Sequence, residues 1–303
     1  MKSTIAIAFG LLFAAGTIEA QTLAVYQSVL NGQSPTYYNT LDNTLVPTAG
    51  TGTFTASGTG TGFGSDYFGN ANDAASFTTS ADQLSYATGA NIVSGSGAAN
   101  SIGSLSLLFY TPNTTLSGTQ YIFSNGDTTG ANGNQFSLDL SSGVLQLKAG
   151  NKTITLPTLT GGQWYYFGTT WNFSGANSSP FGINYYLGVA GQSSFASTGF
   201  VQRGGTGNIS STAIFGNGGA FVLSGHQASA SAGFEIGANP GLVDELASWN
   251  SQLTGTQFSD QFNALIIPVP EPSSFALLAA GLCGILALRV RRSNAVEAVL
   301  AKS

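Results

Sequence analysis

The chain has 303 residues, enough for one large or two modest domains, yet only 7% are charged, against about 25% in ordinary soluble proteins. Its apolar fraction of 42% and aromatic fraction of 11% supply a sizeable core and exclude a disordered polar tract. Between Gln21 and Pro268 only Lys148, Lys152 and Arg203 oppose ten acids, and this net charge of −7 excludes nucleic-acid partners and anionic-lipid surfaces.

Met1 and Lys2 precede an apolar stretch from Ile5 to Ala15, and Gly16 to Ala20 closes on a small residue. This order predicts a signal peptide over 1–20, cut before Gln21. Nothing amphipathic continues it, which argues against reading this segment itself as a buried N-terminal helix. The run Gly58-Thr59-Gly60-Thr61-Gly62-Phe63-Gly64 lacks the lysine and following helix of a phosphate loop and reads as an edge turn.

Short strands then dominate. Ser104–Tyr110 reads as a strand ending at Thr111-Pro112. Phe136–Leu140 alternates apolar and polar, turns at Ser141-Ser142-Gly143 and returns through Val144–Lys148, the signature of a hairpin. Thr153–Leu156 continues the pattern. Trp164–Trp171 is aromatic on both faces, which predicts a central strand covered on both sides, and Ile183–Val189 follows. Many short strands at this spacing predict an all-β sandwich or barrel. Over 254–265, Thr254 can cap a short helix with Phe258, Phe262 and Leu265 on one face.

At the far end Val269-Pro270-Glu271-Pro272 precedes an apolar run from Phe275 to Leu288 and then Arg289, Arg291 and Arg292. The run is at the short limit for a transmembrane helix, and the arginines place its end in the cytoplasm. This tripartite tail resembles the PEP-CTERM sorting signal of Gram-negative bacteria. The resemblance implies an exosortase-like processing enzyme as partner, removal of the tail near Pro-Glu-Pro and association with extracellular polysaccharide. Residues 293–303 continue past the arginine cluster as a short cytoplasmic tail, where the family commonly ends. The sole cysteine, Cys283, lies in the apolar run, so the 21–267 domain folds without disulfides.

Ser34-Pro35-Thr36-Tyr37-Tyr38, the stretch from Leu156-Pro157 to Gly161-Gly162-Gln163-Trp164-Tyr165, Phe234–Gly237 and Leu242–Asn250 together resemble LamG-like domains. That resemblance implies a concanavalin A-like jelly-roll β-sandwich over 21–267.

Catalytic groups are not apparent. Asp244 and Glu245 are adjacent, so on a regular strand their side chains point to opposite faces and cannot flank one glycosidic bond. The only histidine, His226, has no cysteine cluster to complete a zinc site. Asp127 with Asn125 and Asn132 forms an oxygen-rich set that calcium could use, and Asp82 could add a further ligand, although ordinary turns use the same residues. Among many aromatic residues, Tyr165, Tyr185 and Trp249 are the candidates for sugar stacking, while Trp164 and Trp171 read as core. The expectation is an exported, non-catalytic surface or matrix protein that binds carbohydrate. A structural or adhesive protein with protein partners and a cryptic polysaccharide hydrolase are the alternatives.

Overall fold

The fold is described from a computed structural model over residues 23–79, 81–86, 92, 102–112, 119–126, 135–141, 143–149, 152–172, 182–197, 201–202, 221–225, 235–236 and 239–266. Residues 23–32 are helical (α1). The strands follow as β1 (Tyr37–Asn39), β2 (Phe54–Ser57), β3 (Thr61–Gly64), β4 (Ala74–Phe77), β5 (Gln83–Tyr86), β6 (Ile102–Thr111), β7 (Thr119–Gly126), β8 (Gln135–Ser141) and β9 (Val144–Ala149). They continue as β10 (Lys152–Thr155), β11 (Gln163–Asn172), β12 (Gly182–Val189), β13 (Ala196–Ser197), β14 (Val201–Gln202), β15 (Phe221–Leu223), β16 (Glu235–Ile236) and β17 (Asn239–Trp249), and helix α2 (Gly255–Asn263) closes the domain. The compact unit that holds them ends at Ile266.

The strands form two sheets. One contains ten strands with the path β13-β12-β11-β6-β17-β4-β3, and β1, β14 and β16 attach to its members. The other contains seven in the order β10-β9-β8-β7-β15-β5-β2. The pairings around the central strands are antiparallel, and those of β6 with β11, β6 with β17 and β7 with β15 join strands distant in sequence, as in a jelly roll. The predicted hairpin appears as β8–β9, where Ser141 faces Val144 and Gly143 has φ +80, a conformation that favours glycine.

Period-two alternation explains the core between the sheets. Phe109, Phe123, Phe136, Leu138, Leu147, Phe167, Trp171 and Val243 point inward and are at most 2% exposed. Phe123 stacks on Phe221 at 5.6 Å, and Phe136 meets Trp171 at 5.3 Å. Each such side chain contributes about 1.5–3 kcal/mol through burial.

A second apolar layer covers the outer face of the ten-stranded sheet, as the doubly aromatic β11 requires. Tyr26 and Leu30 of α1, and Phe258 and Phe262 of α2, pack there on Leu108, Tyr166, Tyr186 and Trp249. Leu23, Tyr26 and Leu30 follow a helical stripe, so the reading that nothing amphipathic continues the predicted signal is corrected: a short amphipathic helix follows it. Helix α2 carries the predicted cap as a reciprocal box between Thr254 and Gln257.

Two glycines set how closely α2 approaches. A Cβ on Gly168 would lie 2.6 Å from the Phe258 ring, and one on Gly188 would lie 2.6 Å from the Phe262 ring. Their cross-strand partners are Tyr186 and Tyr166, which flank the same two phenyl rings. Missing side chains on β11 and β12 therefore form the sockets of the helix.

The glycine-rich run at 58–64 is an edge feature tied down by Asp82. Its carboxylate accepts from the amides of Gly60 (2.8 Å), Thr78 (2.9 Å) and Thr79 (2.7 Å). Burial alone would raise its pKa, but these donors together hold it below the usual carboxylate range. Asp82→Asn should cost about 1.5–3 kcal/mol in urea unfolding, because an amide cannot accept from all three donors. A folded-state pKa below the unfolded one means that this stabilisation is present above the unfolded carboxylate pKa and disappears as pH falls through the folded value. The wild-type and variant unfolding midpoints should therefore converge in strong acid, and a difference that persists there contradicts this account.

Candidate functional site

Among the described residues, a group of three acids gathers where the N-terminal segment meets β17. Asn39 organises the loop after β1: its side-chain oxygen accepts from Leu41 N at 2.9 Å, and its amide donates to Leu45 O at 3.1 Å. Leu41 and Asn43, on either side of Asp42, have φ values of +57 and +50, so Asp42 is held between two left-handed residues. Across from it, β17 loses register with β6 between Asp244 and Ala247, and Glu245 has φ +53. This bulge turns the Glu245 side chain back toward that of Asp244.

The result overturns the opposite-face reading of Asp244 and Glu245. One carboxylate oxygen from each of Asp42, Asp244 and Glu245 lies within 4.8 Å of the other two. Asp244 and Glu245 are 1% and 0% exposed, and Asp42 is half-buried. Glu245 accepts from the Tyr38 hydroxyl and from Gln27 Nε2 at 3.1 Å, which ties α1 and β1 to the bulge. One Asp244 oxygen accepts from Glu245 N at 2.8 Å, and the other is buried without a partner. The Tyr26 hydroxyl is also buried without a partner.

Burial raises the pKa of all three acids, and repulsion from neighbouring carboxylates adds to it. Asp244 is pushed well above the carboxylate range by burial first and then by Glu245, Asp42 and Asp66. Glu245 is pushed up to about 8 by burial, against the lowering effect of Tyr38 and Gln27. Asp42 rises to about 6 through burial, partly offset by Thr40 and reinforced by Asp73 and Asp66. Among the described residues the one ion pair lies elsewhere, between Lys148 and Asp139 at 3.1 Å.

The other predicted site residues fall differently. Tyr165 is 4% exposed, lies over Phe109 at 5.4 Å and donates to Thr160 O at 3.1 Å. Tyr185 is 8% exposed in the inter-sheet core, and Trp249 is 3% exposed with its indole N–H on Gln33 O at 3.0 Å. These three rings present no open face to a sugar, because each is enclosed by a packed layer. The stacking assignment is corrected accordingly. Asn125 is buried in β7, Asp82 is committed to backbone amides, and Asp127, Asn132 and His226 lie outside the described residues.

An aromatic surface that sequence reasoning missed occupies the end of the ten-stranded sheet. Trp164 on β11 is directly opposite Tyr110 on β6, their ring centroids are 5.7 Å apart, and both are half-buried. The register continues from Tyr110 to Leu242 on β17, Ser76 on β4 and Gly62 on β3. Of the three tryptophans, Trp164 alone is not fully buried, and it packs against the edge of the outer apolar layer. Alternation could have revealed this shelf, since Trp164 has the opposite parity to the inward-facing Tyr165, Phe167 and Trp171.

Residues 268–292 match the PEP-CTERM protein-sorting motif, which marks an exported protein sorted to the cell surface through an exosortase. Among the described residues no helix is long and apolar enough to cross a membrane, and the C-terminal apolar run lies outside them. No curated protein matches the chain. The binding domain of botulinum neurotoxin serotype D shares the fold, with a TM-score of 0.51 and 12% identity over 78% of this chain and 52% of that one. For the serotype C1 binding domain the values are 0.50, 16%, 78% and 53%. Domain 4 of AbnA, a GH43 extracellular arabinanase from Geobacillus stearothermophilus in complex with arabinotriose, matches with a TM-score of 0.45 and 14% identity over 75% of this chain and 98% of that one. The chain spans about half the length of the toxin structures, and the likeness to them establishes a β-sandwich of the predicted kind.

Tyr38→Phe removes one of the two side-chain donors to Glu245. It should destabilise the fold by about 1–3 kcal/mol in chemical denaturation. An unchanged midpoint would show that the hydroxyl adds nothing to the network.

Proposed function

We propose that this chain is an exported, non-catalytic surface protein whose sandwich holds extracellular polysaccharide on the Trp164–Tyr110 shelf. The half-exposed aromatic pair is the observation that carries this reading. An indole and a phenol give the C–H face of a sugar ring an apolar surface, while their N–H and O–H groups remain able to bond its hydroxyls. The shelf is built on paired central strands, so binding requires little ordering of the protein. The low charge of the chain suits a neutral, hydroxyl-rich ligand. The toxin domains are binding domains of the same fold, but that likeness extends to the fold alone, and the argument rests on this chain's own surface.

The burial of Asp244 and Glu245 supports a non-catalytic role. A glycosidase needs two carboxyl groups about 5–9.5 Å apart on either side of an accessible bond. Asp244 and Glu245 are sealed inside the protein and occupied by Tyr38, Gln27 and the bulge amide. The tail would hold the protein in the membrane until an exosortase removes it and frees the sandwich to join the matrix.

Two measurements test these statements. The full-length protein should bind at least one polysaccharide on a glycan array, with Trp164→Ala and Tyr110→Ala each weakening binding about tenfold, or about 1.4 kcal/mol, at unchanged thermal stability. Binding to no polysaccharide, or equal affinity in both variants, would remove the shelf from consideration. Mass spectrometry of the surface form should show a chain beginning at Gln21 and ending near Pro270–Pro272. A surface form that retains the arginine cluster would contradict removal of the tail.

A further inference from the structure

We propose that the exposed end of α2, centred on Ile266, is a docking surface for the membrane-bound enzyme that removes the sorting tail. This rests on the tail removal proposed above and gives the sandwich itself a part in that step. Three observations carry it. First, the chain is held in place up to Ile266. Leu265 is fully buried in the outer apolar layer, and its carbonyl accepts from the Tyr67 hydroxyl at 3.0 Å. The amides of Ala264, Leu265 and Ile266 donate to Asp260 O, Phe262 O and Asn263 O, each at 3.1 Å.

Second, very little chain separates this fixed point from the motif. Ile267, Pro268 and Val269 alone stand between Ile266 and Pro270. Four residues of chain reach at most about 13–14 Å when fully extended. A contact face of ordinary size, about 800 Å² on one partner, has a radius of about 16 Å. An enzyme that closes on Pro270-Glu271-Pro272 therefore meets the surface around Ile266 as well.

Third, that surface has the chemistry of a contact rather than of a solvated helix end. Ile266 is 37% exposed and is one of four large apolar side chains left in solvent among the described residues. Exposed Asn263 and half-buried Tyr67 lie beside it. The last turn of α2 carries no basic residue, the usual complement to the negative end of a helix dipole. The surface also exists only on a folded domain, because α2 is seated by Phe258 and Phe262 in the sockets of Gly168 and Gly188. The enzyme would thus read fold and motif together.

The test follows conversion of the full-length precursor to the shortened surface form by pulse-chase labelling in the native cell. Ile266→Asp should slow conversion about tenfold, as loss of one central contact does at other interfaces. A flexible Gly/Ser insert of about a dozen residues between Ile267 and Pro268 should slow it as well, because the motif then reaches the enzyme without the domain. Val144→Asp, at a similarly exposed position on β9 of the other sheet, should convert at the wild-type rate. The insert lies beyond the compact unit, so it decides the question should Ile266→Asp disturb α2. Conversion of the insert at or above the wild-type rate, or an unslowed Ile266→Asp, would overturn the docking surface while leaving tail removal intact. A wild-type surface form that keeps the arginine cluster would overturn both.

Discussion

The structure depends on one sheet being buried on both faces. The centre of the ten-stranded sheet, β12-β11-β6-β17, packs one face against the seven-stranded sheet and the other beneath α1 and α2. A strand covered twice cannot alternate apolar with polar, which is why β11 carries Tyr165, Tyr166 and Phe167 in unbroken sequence. The second coat of side chains demands close approach, and Gly168 and Gly188 provide it. The aromatic rings of α2 sit where those residues have no Cβ. Without the helix layer, Leu108, Tyr166 and Tyr186 would face water, and a chain with so few charges has little else with which to keep such a patch soluble.

That scarcity of charge makes the position of the acids informative. Asp82, Asp139, Asp244 and Glu245 are all buried, and each has a different compensation. Asp82 is stabilised as a carboxylate by three backbone amides, and Asp139 is paired with Lys148 and hydrogen-bonded by Ser137. Asp244 and Glu245 have only dipoles and each other, with Asp42 alongside. Burying an unpaired carboxylate costs several kcal/mol unless a proton or a cation neutralises it. The bulge that brings them together also puts Glu245 at a positive φ, and the two residues flanking Asp42 share that conformation. Such backbone strain persists where the surroundings over-determine it, and here α1, β1 and β17 all converge on the same few atoms.

The exported sandwich is thus organised around its termini. Helix α1, the loop after β1, strand β17 and helix α2 come from opposite ends of the domain, yet they share one apolar layer and one polar network. Gln33 illustrates this: its side chain donates to Gln257 O and accepts from Gln261, and its carbonyl accepts from Trp249. In a disulfide-free protein these contacts take the place of a covalent staple. The shelf of Trp164 and Tyr110 stands at the strand ends of the same sheet, on the frame that this layer makes rigid.

Much of this was legible in the residues themselves. Alternation with a glycine turn specified β8–β9, a doubly aromatic run specified a central strand, and Thr254 with Phe258 and Phe262 specified the closing helix, because each pattern is set by local periodicity. The sorting tail was equally plain, since the order of its three parts carries the information. Other features depended on contacts between distant segments. Alternation assigned Asp244 and Glu245 to opposite faces, and a bulge, which depends on how β17 pairs with β6, reversed that. Asp42 joined them only through the pairing of β1 with β17. Tyr165, Tyr185 and Trp249 were offered to a sugar and Trp164 to the core, because a strand's sequence shows that two faces differ but not which layer covers each. Period two fixes parity along a strand, whereas burial is decided by what the rest of the chain stacks against it.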